Sequence, residues 1–179
     1  DVHYWGQPIA LMVAETFEQA RDAAKHLKFD FTAEEAAFDP SAVETETKGG
    51  ATKQGDLAHA MKEAHSSVDL NYTTEGHASA AMEPHASIAQ WDGETLTVHA
   101  SLQMLNYNIT ELADAMGLEE SKVRLLSPFV GGGFGSKLGV SQDVIAASVA
   151  TMELGRPVRV VMSRQQVFQA IMRRSETTQ

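Results

Sequence analysis

Residues 127–137, "SPFVGGGFGSK", combine four glycines with two phenylalanines and one lysine. Three consecutive glycines lose much conformational entropy on folding, and a simple turn does not explain an apolar Phe134 between Gly133 and Gly135. Backbone without side chains lets amide N–H groups approach a ligand closely, as they do in anion-binding nests. Residues 131–137, called the glycine loop below, therefore indicate an anion-binding site, with an ordinary surface turn as the alternative.

The spacing of the glycine loop excludes two common nucleotide-binding motifs. A phosphate-binding P-loop ends in Gly-Lys-Ser/Thr, whereas this chain has Ser136 before Lys137 and Leu138 after it, so no hydroxyl follows the lysine. A dinucleotide fingerprint that starts at Gly131 requires glycine at position 136. A stand-alone anion- or nucleotide-binding module that uses the loop in another way stays as an alternative.

Composition limits the kind of partner that the chain binds. The 179 residues are 43% hydrophobic, and 14 basic against 24 acidic residues give a net charge of −10. This charge disfavours nucleic acid and anionic membrane surfaces as partners. The sequence has no apolar run long enough to span a bilayer, and the absence of cysteine removes thiolate metal sites, disulfides and cysteine nucleophiles.

The N-terminal segment has the pattern of a small β-α-β unit. Residues 9–14 form a near-continuous apolar run that is typical of a buried strand. Thr16 with Gln19 three residues later predicts a capping box at the start of a helix. Phe29 and Phe31 alternate with charged residues, which predicts a second strand, parallel to the first.

Between residues 34 and 55 the apolar periodicity stops, and the sequence becomes rich in Thr, Gly, Lys and Glu, as in a linker. Asp56 is placed to cap a short helix over residues 57–64. After it, an alternating apolar pattern predicts a half-buried strand through Val68, Leu70 and Tyr72.

The C-terminal part has clear start and stop signals. Asp92-Gly93 predicts a tight hairpin turn, and Gly117 predicts the end of a helix over residues 109–116. A strand over 123–126 leads to the glycine loop, and Ser141 then begins a helix that ends near Gly155. "RPVRVVMS" predicts another strand, and Ser163 with Gln166 caps a final helix that reaches Arg173.

The order of strand, "SPFVGGGFGSK" and helix resembles the first molybdenum-cofactor-binding motif of the xanthine dehydrogenase and aldehyde oxidoreductase family, usually written G-G-G-F-G-G-K. "YWGQPIALMVAETFEQARDAAKHLKFDF" is similar to the end of that family's α/β hammerhead domain. "AMEPHASIAQWDGETLTVHASLQM" and "GRPVRVVMSRQQVF" resemble the segments before and after the motif. Within the family, the resemblance is greatest to bacterial aldehyde and isoquinoline-type oxidoreductases.

The resemblance implies an α+β fold in three parts: the C-terminal part of a hammerhead domain (1–38), a linker (39–55) and the N-terminal part of a molybdopterin-binding domain (56–179). It implies a fragment of an oxidoreductase subunit that hydroxylates aldehydes or N-heteroaromatic compounds with water as the oxygen source. The catalytic base of the family is expected beyond residue 179, so the fragment alone is expected to be inactive.

The resemblance also implies cofactors and partners. The expected cofactor is molybdenum-molybdopterin, in the cytosine dinucleotide form used by bacteria. An iron-sulfur small subunit with 2Fe-2S clusters and a flavin subunit or domain with FAD are expected to receive the electrons. No nucleic acid or membrane span is expected, and the cytoplasm and the bacterial periplasm both stay open. A non-catalytic interaction protein descended from the family is a further alternative.

Carried over by residue, the resemblance places a stretch of the glycine loop against the molybdopterin: Gly132, Gly133, Phe134, Gly135 and Ser136. Phe134 would shield the metal from water, and Ser136 replaces the last glycine of the family motif. Gln103 is expected to contact the cofactor or the loop, with a structural hydrogen bond as the alternative. Lys137 either helps to neutralise the anionic cofactor or is exposed and solvated.

Two positions depart from the family pattern. His77 stands where the family commonly has a glutamine near the molybdenum, and Ser79 stands where it often has histidine. His77 is expected to contact a metal ligand, with an ordinary structural partner as the alternative. His77, Glu83 and His85 do not have the spacing of a metal site, and in this family the pterin holds the metal, so no direct protein ligand is expected.

Leu138 bears on the substrate. In purine-oxidising members of the family, the residue after the loop lysine is a glutamate that contacts the polar edge of the purine. Leucine makes this wall apolar, which predicts a preference for aromatic aldehydes or apolar N-heterocycles. The alternative is that Leu138 packs at the start of the next segment.

Overall fold

The structure is a computed structural model in which residues 1–35, 52, 54–171 and 174–178 are described. The helices are α1 (Phe17–Lys25), α2 (Leu57–Glu63), α3 (Leu105–Met116), α4 (Gln142–Leu154) and α5 (Arg164–Ala170). The strands are β1 (Thr73–Thr74), β2 (Ala86–Trp91), β3 (Leu96–Ala100), β4 (Val123–Leu126), β5 (Val158–Val161) and β6 (Thr177–Thr178). The α+β fold class is confirmed.

The chain forms two compact units, one from residues 1–26 with 73–179 and the other from residues 27–72. In the smaller unit, α2 forms as predicted, because the Asp56 carboxylate accepts a hydrogen bond from the His59 N–H at 3.0 Å. The predicted strand through residues 68–72 is not present. Most of the predicted linker, residues 39–55, lies outside the described residues, and the domain bounds stay a prediction.

In the larger unit, the N-terminal helix is confirmed and its flanking strands are not. Thr16 and Gln19 form the reciprocal capping box at the start of α1. Residues 9–14 are not in a strand, and neither are residues 29–31 of the smaller unit. A strand requires a hydrogen-bonding neighbour, and within the described residues neither segment pairs with another. The apolar patterns of the two segments do not show whether either segment has a neighbouring strand to pair with.

A four-stranded sheet with the order β4-β3-β2-β5 forms the centre of the larger unit. The predicted hairpin joins β2 to β3, with Gly93 at φ +97°. β5 pairs antiparallel with β2, and β3 pairs parallel with β4 through the crossover helix α3. Leu96 and Val98 of the sheet pack with Leu112 of α3 and Val144 of α4 in the main core.

This topology brings four chain segments to one edge of the sheet. The carboxyl ends of the parallel strands β3 and β4 meet there. The antiparallel neighbour β2 has its amino end at the same edge, and β5 has its carboxyl end there. Residues 81–85, 101–104, 127–140 and 162–164 are therefore close together, although up to about 80 positions separate them in sequence.

The boundaries of the C-terminal elements differ from the predictions in two places. α3 begins at Leu105 instead of 109, and Gly117 ends it in the left-handed conformation as predicted. α4 runs from Gln142 to its C-cap Gly155, as predicted. α5 begins with the predicted capping box, but its C-cap is the extended Ile171, so the helix ends before Arg173.

β1 and β6 form a separate two-stranded antiparallel ribbon, and an isolated bridge joins His77 to Arg174 nearby in both segments. In the described part of the chain, no helix is both long and apolar enough to cross a membrane.

Candidate functional site

The glycine loop lies at the shared edge of the sheet, between β4 and α4, and is not helical. α4 begins only at Gln142, so the helix does not open directly from the glycines. This confirms the predicted loop and disfavours a nucleotide-binding module, which would place a helix N-terminus directly at the loop.

Lys137, at the end of the loop, is fully buried, with 0% of its side chain exposed. Its Nζ donates to Glu83 Oε2 at 2.5 Å, to the Glu83 carbonyl oxygen at 3.3 Å and to Ser101 Oγ at 3.2 Å. These three acceptors use all three ammonium protons. The prediction of an exposed, solvated lysine is therefore wrong, and Lys137 has no proton left with which to contact an anionic cofactor.

Glu83 accepts hydrogen bonds from three residues on two segments. Besides Lys137, its Oε2 accepts hydrogen bonds from Ser101 Oγ at 2.6 Å and from the Gly131 N–H at 2.8 Å. Burial raises the pKa of Glu83, but the hydrogen bonds from Lys137, Ser101 and Gly131 and the charge of Lys137 outweigh it and hold the pKa below its usual value. Glu83 is therefore ionised at neutral pH.

Gln103 supports the middle of the loop. Its Oε1 accepts hydrogen bonds from the Gly135 N–H at 3.3 Å and from the Lys137 backbone N–H at 3.2 Å. The backbone N–H of Gln103 donates to the Lys137 carbonyl oxygen at 2.8 Å. Ser101 and Gln103 follow β3 two residues apart. The Gln103 side chain is exposed, and its Nε2 has no acceptor among the described residues, so this amide group is the part of Gln103 that can donate to a ligand.

His85 contacts the loop from the buried side. Its Nε2 lies 3.0 Å from the Ser136 carbonyl oxygen, and the ring is 2% exposed. Because a carbonyl oxygen only accepts, Nε2 is the donor of this hydrogen bond, and Nδ1 is buried without a partner in the described structure. Ser136 Oγ donates to the Gly133 carbonyl oxygen at 2.7 Å, so the serine in place of the family glycine closes a turn within the loop.

Three consecutive amides of the loop stay unpaired. The N–H groups of Gly132, Gly133 and Phe134 have no acceptor among the described residues, whereas those of residues 131 and 135–137 are all hydrogen bonded. Gly132 has φ +97° and Phe134 has φ +53°, whereas Gly133 between them does not have a positive φ, so the sign of φ alternates over these three residues. Unpaired adjacent amides in such a conformation are suited to binding an anionic or oxygen-rich group.

Phe134 is exposed by 77% and has a strained backbone conformation for a residue with a side chain. Ser79 Oγ donates to its carbonyl oxygen at 3.2 Å. Ser79 was singled out only as a departure from the family pattern, and its contact with Phe134 was not predicted.

Three further anchoring residues were not predicted from the sequence. Arg164, at the start of α5, donates to the carbonyl oxygens of Ala81 and Met82 at 2.7 and 2.9 Å and so fixes the segment that contains Glu83. From α3, Asn108 donates to the Leu138 carbonyl oxygen at 2.7 Å, and Glu111 accepts from the Val140 N–H at 2.6 Å. No local pattern marks these residues, because their partners are backbone groups about 30 to 80 positions away.

The remaining predicted site residues lie at the edges of this arrangement. His77 is exposed, and its backbone pairs with Arg174. Leu138 is 39% exposed, and Gly135 lies near its side chain. The roles of His77, Gln103 and Leu138 toward a cofactor or substrate stay predictions. Among the described residues, no group of three or more histidine and carboxylate side chains is placed to hold a metal ion.

A model of the molybdopterin cofactor-binding domain matches residues 39–179 of the chain. The chain is 39% identical over 168 residues to the aldehyde oxidoreductase molybdenum-binding subunit PaoC of Escherichia coli (strain K12), which covers 91% of this chain and 23% of that subunit. It is 30% identical over 177 residues to the nicotinate dehydrogenase large molybdopterin subunit of Eubacterium barkeri, with 92% of this chain and 41% of that subunit covered. The chain thus spans less than half the length of either relative.

Solved structures show the same fold. The aldehyde oxidoreductase from Desulfovibrio gigas superposes with a TM-score of 0.80 at 23% identity, over 91% of this chain and 19% of that chain. Quinoline 2-oxidoreductase from Pseudomonas putida 86 superposes with a TM-score of 0.59 at 25% identity, over 66% of this chain and 15% of that chain.

Proposed function

The chain belongs to the molybdopterin cofactor-binding domain family, and from this premise we propose that its glycine loop forms one wall of a molybdenum-molybdopterin site. The protein that contains this wall is an oxidoreductase that hydroxylates aldehydes or N-heteroaromatic compounds. The names of the relatives support this reaction class, since they are subunits of an aldehyde oxidoreductase and a nicotinate dehydrogenase.

One structural observation supports the proposal most directly: the unpaired amides of Gly132, Gly133 and Phe134. A molybdopterin offers phosphate and other acceptor groups, which match a row of backbone donors. The loop would bind the cofactor through backbone N–H groups and not through a lysine charge, because Lys137 is already paired with Glu83 and adds no net charge to the site. The glycines keep this face free of side chains up to Phe134.

When bound, the cofactor supplies the oxidation of the substrate with water as the oxygen source. The residues of this chain bind and orient it. The amides of residues 132–134 donate to its acceptor groups, and Gln103 Nε2 adds a side-chain donor. The Phe134 ring shields the metal from water. We further propose that His77 contacts a ligand of the metal and that Leu138 makes the adjoining wall of the substrate pocket apolar.

The relatives are named as subunits, which supports a multi-subunit enzyme. We include in the proposal the cytosine dinucleotide form of the cofactor, an iron-sulfur subunit with 2Fe-2S clusters and a flavin subunit with FAD. No residue of this chain is assigned as the catalytic base; we propose that it lies on a part of the enzyme beyond this chain.

The origin of the product oxygen tests the reaction class. The full-length protein that contains this chain is incubated with isoquinoline, an artificial electron acceptor and ¹⁸O-labelled water, and the product is analysed by mass spectrometry. Isoquinoline is chosen because aldehydes exchange their oxygen with water before they react. We expect label from water in the product; unlabelled product, with label found only in a parallel incubation in ordinary water under ¹⁸O₂, would contradict the proposal.

The same assay on the isolated 179-residue chain tests whether it holds only part of a site. We expect no turnover above background. Turnover by this chain alone would show that it contains a complete catalytic centre.

A further inference from the structure

We propose that Glu83 and Lys137 are positioning residues that close the glycine loop and hold its unpaired amides ready for the cofactor. Together with Ser101 and Gly131 they form what is called the Glu83 cluster below. This inference rests on the proposed function for the identity of the ligand, but the closure of the loop is a property of the protein that can be measured without it.

A single oxygen atom joins the two ends of the loop. Glu83 Oε2 accepts from the Gly131 N–H at 2.8 Å, at the first loop residue, and from Lys137 Nζ at 2.5 Å, at the last. Fixing both ends of a short segment removes most of its alternative conformations. The three unpaired amides lie between these two anchors, so the cluster determines where they point.

The stability of the fold does not by itself explain the ion pair. Taking the Lys137 ammonium fully out of water is costly, its partner Glu83 keeps 36% of its side chain exposed, and an apolar pair of similar volume is often at least as stabilising as a buried ion pair. An apolar side chain at position 83, however, accepts no hydrogen bond from the Gly131 N–H. The Glu83 cluster therefore provides a defined loop conformation that a purely apolar contact does not provide.

The glycines of the loop divide into two roles on this basis. A Cβ at Gly131 would lie 2.6 Å from Glu83 Cβ, and one at Gly133 would lie 2.5 Å from Gln103 Cδ. These two glycines let the supporting side chains pack against the backbone. Gly132 and Gly135 have φ +97° and +95°, and they supply the left-handed conformation. Gly131 is thus required by the close approach of Glu83.

The test uses the full-length protein with Lys137→Met, which removes the charge that joins the loop end to Glu83. Hydrogen exchange followed by mass spectrometry reports the loop amides, with α4 as an internal reference. We expect exchange of the hydrogen-bonded loop amides, those of Gly131 and residues 135–137, to rise by about tenfold while α4 is unchanged. Lys122→Met is the matched control, because Lys122 pairs with Glu94 on the surface, remote from the loop.

Ser101→Ala is the second variant, since it keeps the ion pair but removes one donor to Glu83 and one acceptor of Lys137. We expect faster loop exchange and faster loss of molybdenum on dialysis, each by about threefold, while exchange in α4 is unchanged. If Lys137→Met raises hydrogen exchange throughout the chain, that variant does not separate loop opening from unfolding. The result for Ser101→Ala then decides whether the Glu83 cluster closes the loop. Wild-type loop exchange and molybdenum retention in Ser101→Ala would overturn the inference.

The two proposals fail differently. A wild-type protein without molybdenum and pterin overturns the proposed function, whereas the exchange measurements still test whether the Glu83 cluster closes the loop. Loop exchange in Lys137→Met equal to that of the Lys122→Met control overturns the positioning role, even if the wild-type protein is fully loaded with cofactor.

Discussion

Replacing Gly133 by alanine is expected to release the side chain of Gln103 from the loop. The new Cβ would lie 2.5 Å from Gln103 Cδ and closer still to its Oε1, so the carboxamide has to move. Moving it breaks the hydrogen bonds that Oε1 accepts from the N–H groups of Gly135 and Lys137. The φ of Gly133 lies outside the left-handed region, so alanine adds no backbone strain.

The size of the effect follows from two opposing contributions. Two hydrogen bonds at about 1 kcal/mol each give a loss of about 2 kcal/mol. The lower conformational entropy of alanine in the unfolded chain returns about 0.4–1 kcal/mol. The net loss in the free energy of unfolding is therefore about 1–1.5 kcal/mol, measured by equilibrium urea denaturation of the full-length protein.

A double-mutant cycle makes this prediction specific. In Gln103→Ala the two hydrogen bonds are already absent, so adding Gly133→Ala should destabilise no further and should return the entropic gain of about 0.4–1 kcal/mol. Gly76→Ala is the matched control, because its Cβ makes only ordinary contacts, with the Arg174 carbonyl oxygen at 3.6 Å and the Glu176 backbone N at 3.9 Å. Effects of Gly133→Ala and Gln103→Ala that add within about 0.5 kcal/mol would refute the reasoning.

Three further predictions follow from charges and substrate contacts. The pKa of Glu83 is held below its usual value of 4.5, so its contribution to stability is complete above that pH and is lost as the pH falls through the lowered pKa. The difference in unfolding free energy between wild type and Glu83→Gln should therefore be constant from about pH 5 to 7 and shrink only at lower pH; a difference that already falls between pH 7 and 5 contradicts this. Arg156→Met should leave the thermal midpoint unchanged at low and high salt, because its ion pair with Glu15 is exposed; a salt-dependent drop speaks against it. If Leu138 marks the substrate class, kcat/KM of the full-length enzyme is higher for benzaldehyde and isoquinoline than for xanthine, and a clear preference for xanthine shows that it does not.

The elements that could be predicted from the sequence depend on few neighbouring residues. Thr16 and Ser163 begin their helices with capping boxes, and Asp92 stabilises the hairpin by accepting from two N–H groups of its own turn. The order and register of the strands depend on pairs far apart in sequence, which periodicity does not encode. For this reason the convergence of four segments at one edge of the sheet was not predicted.

The position of the glycine loop between a strand and a helix was predicted, but its internal support was not. Lysine is almost never fully buried unless it is paired, and the partner of Lys137 is 54 positions away. Contacts of this length, and the close approach of Gln103 to Gly133, appear only once the strands are paired. The same limit applies to residues 9–14 and 29–31, whose apolar patterns predicted two parallel strands that the structure does not contain.

Molybdenum and pterin analysis of the purified full-length protein tests the central claim most directly. We predict both components in amounts equimolar with each other and with the polypeptide, and a large loss of both in Gly132→Ala, where the Cβ would meet the Phe134 ring at 3.0 Å. Gly93→Ala is the matched control, because Gly93 has the same φ of +97° in the hairpin and no neighbour within 4 Å. A wild-type protein that contains neither molybdenum nor pterin, or equal contents in the two variants, would contradict the assignment of the glycine loop to the cofactor site.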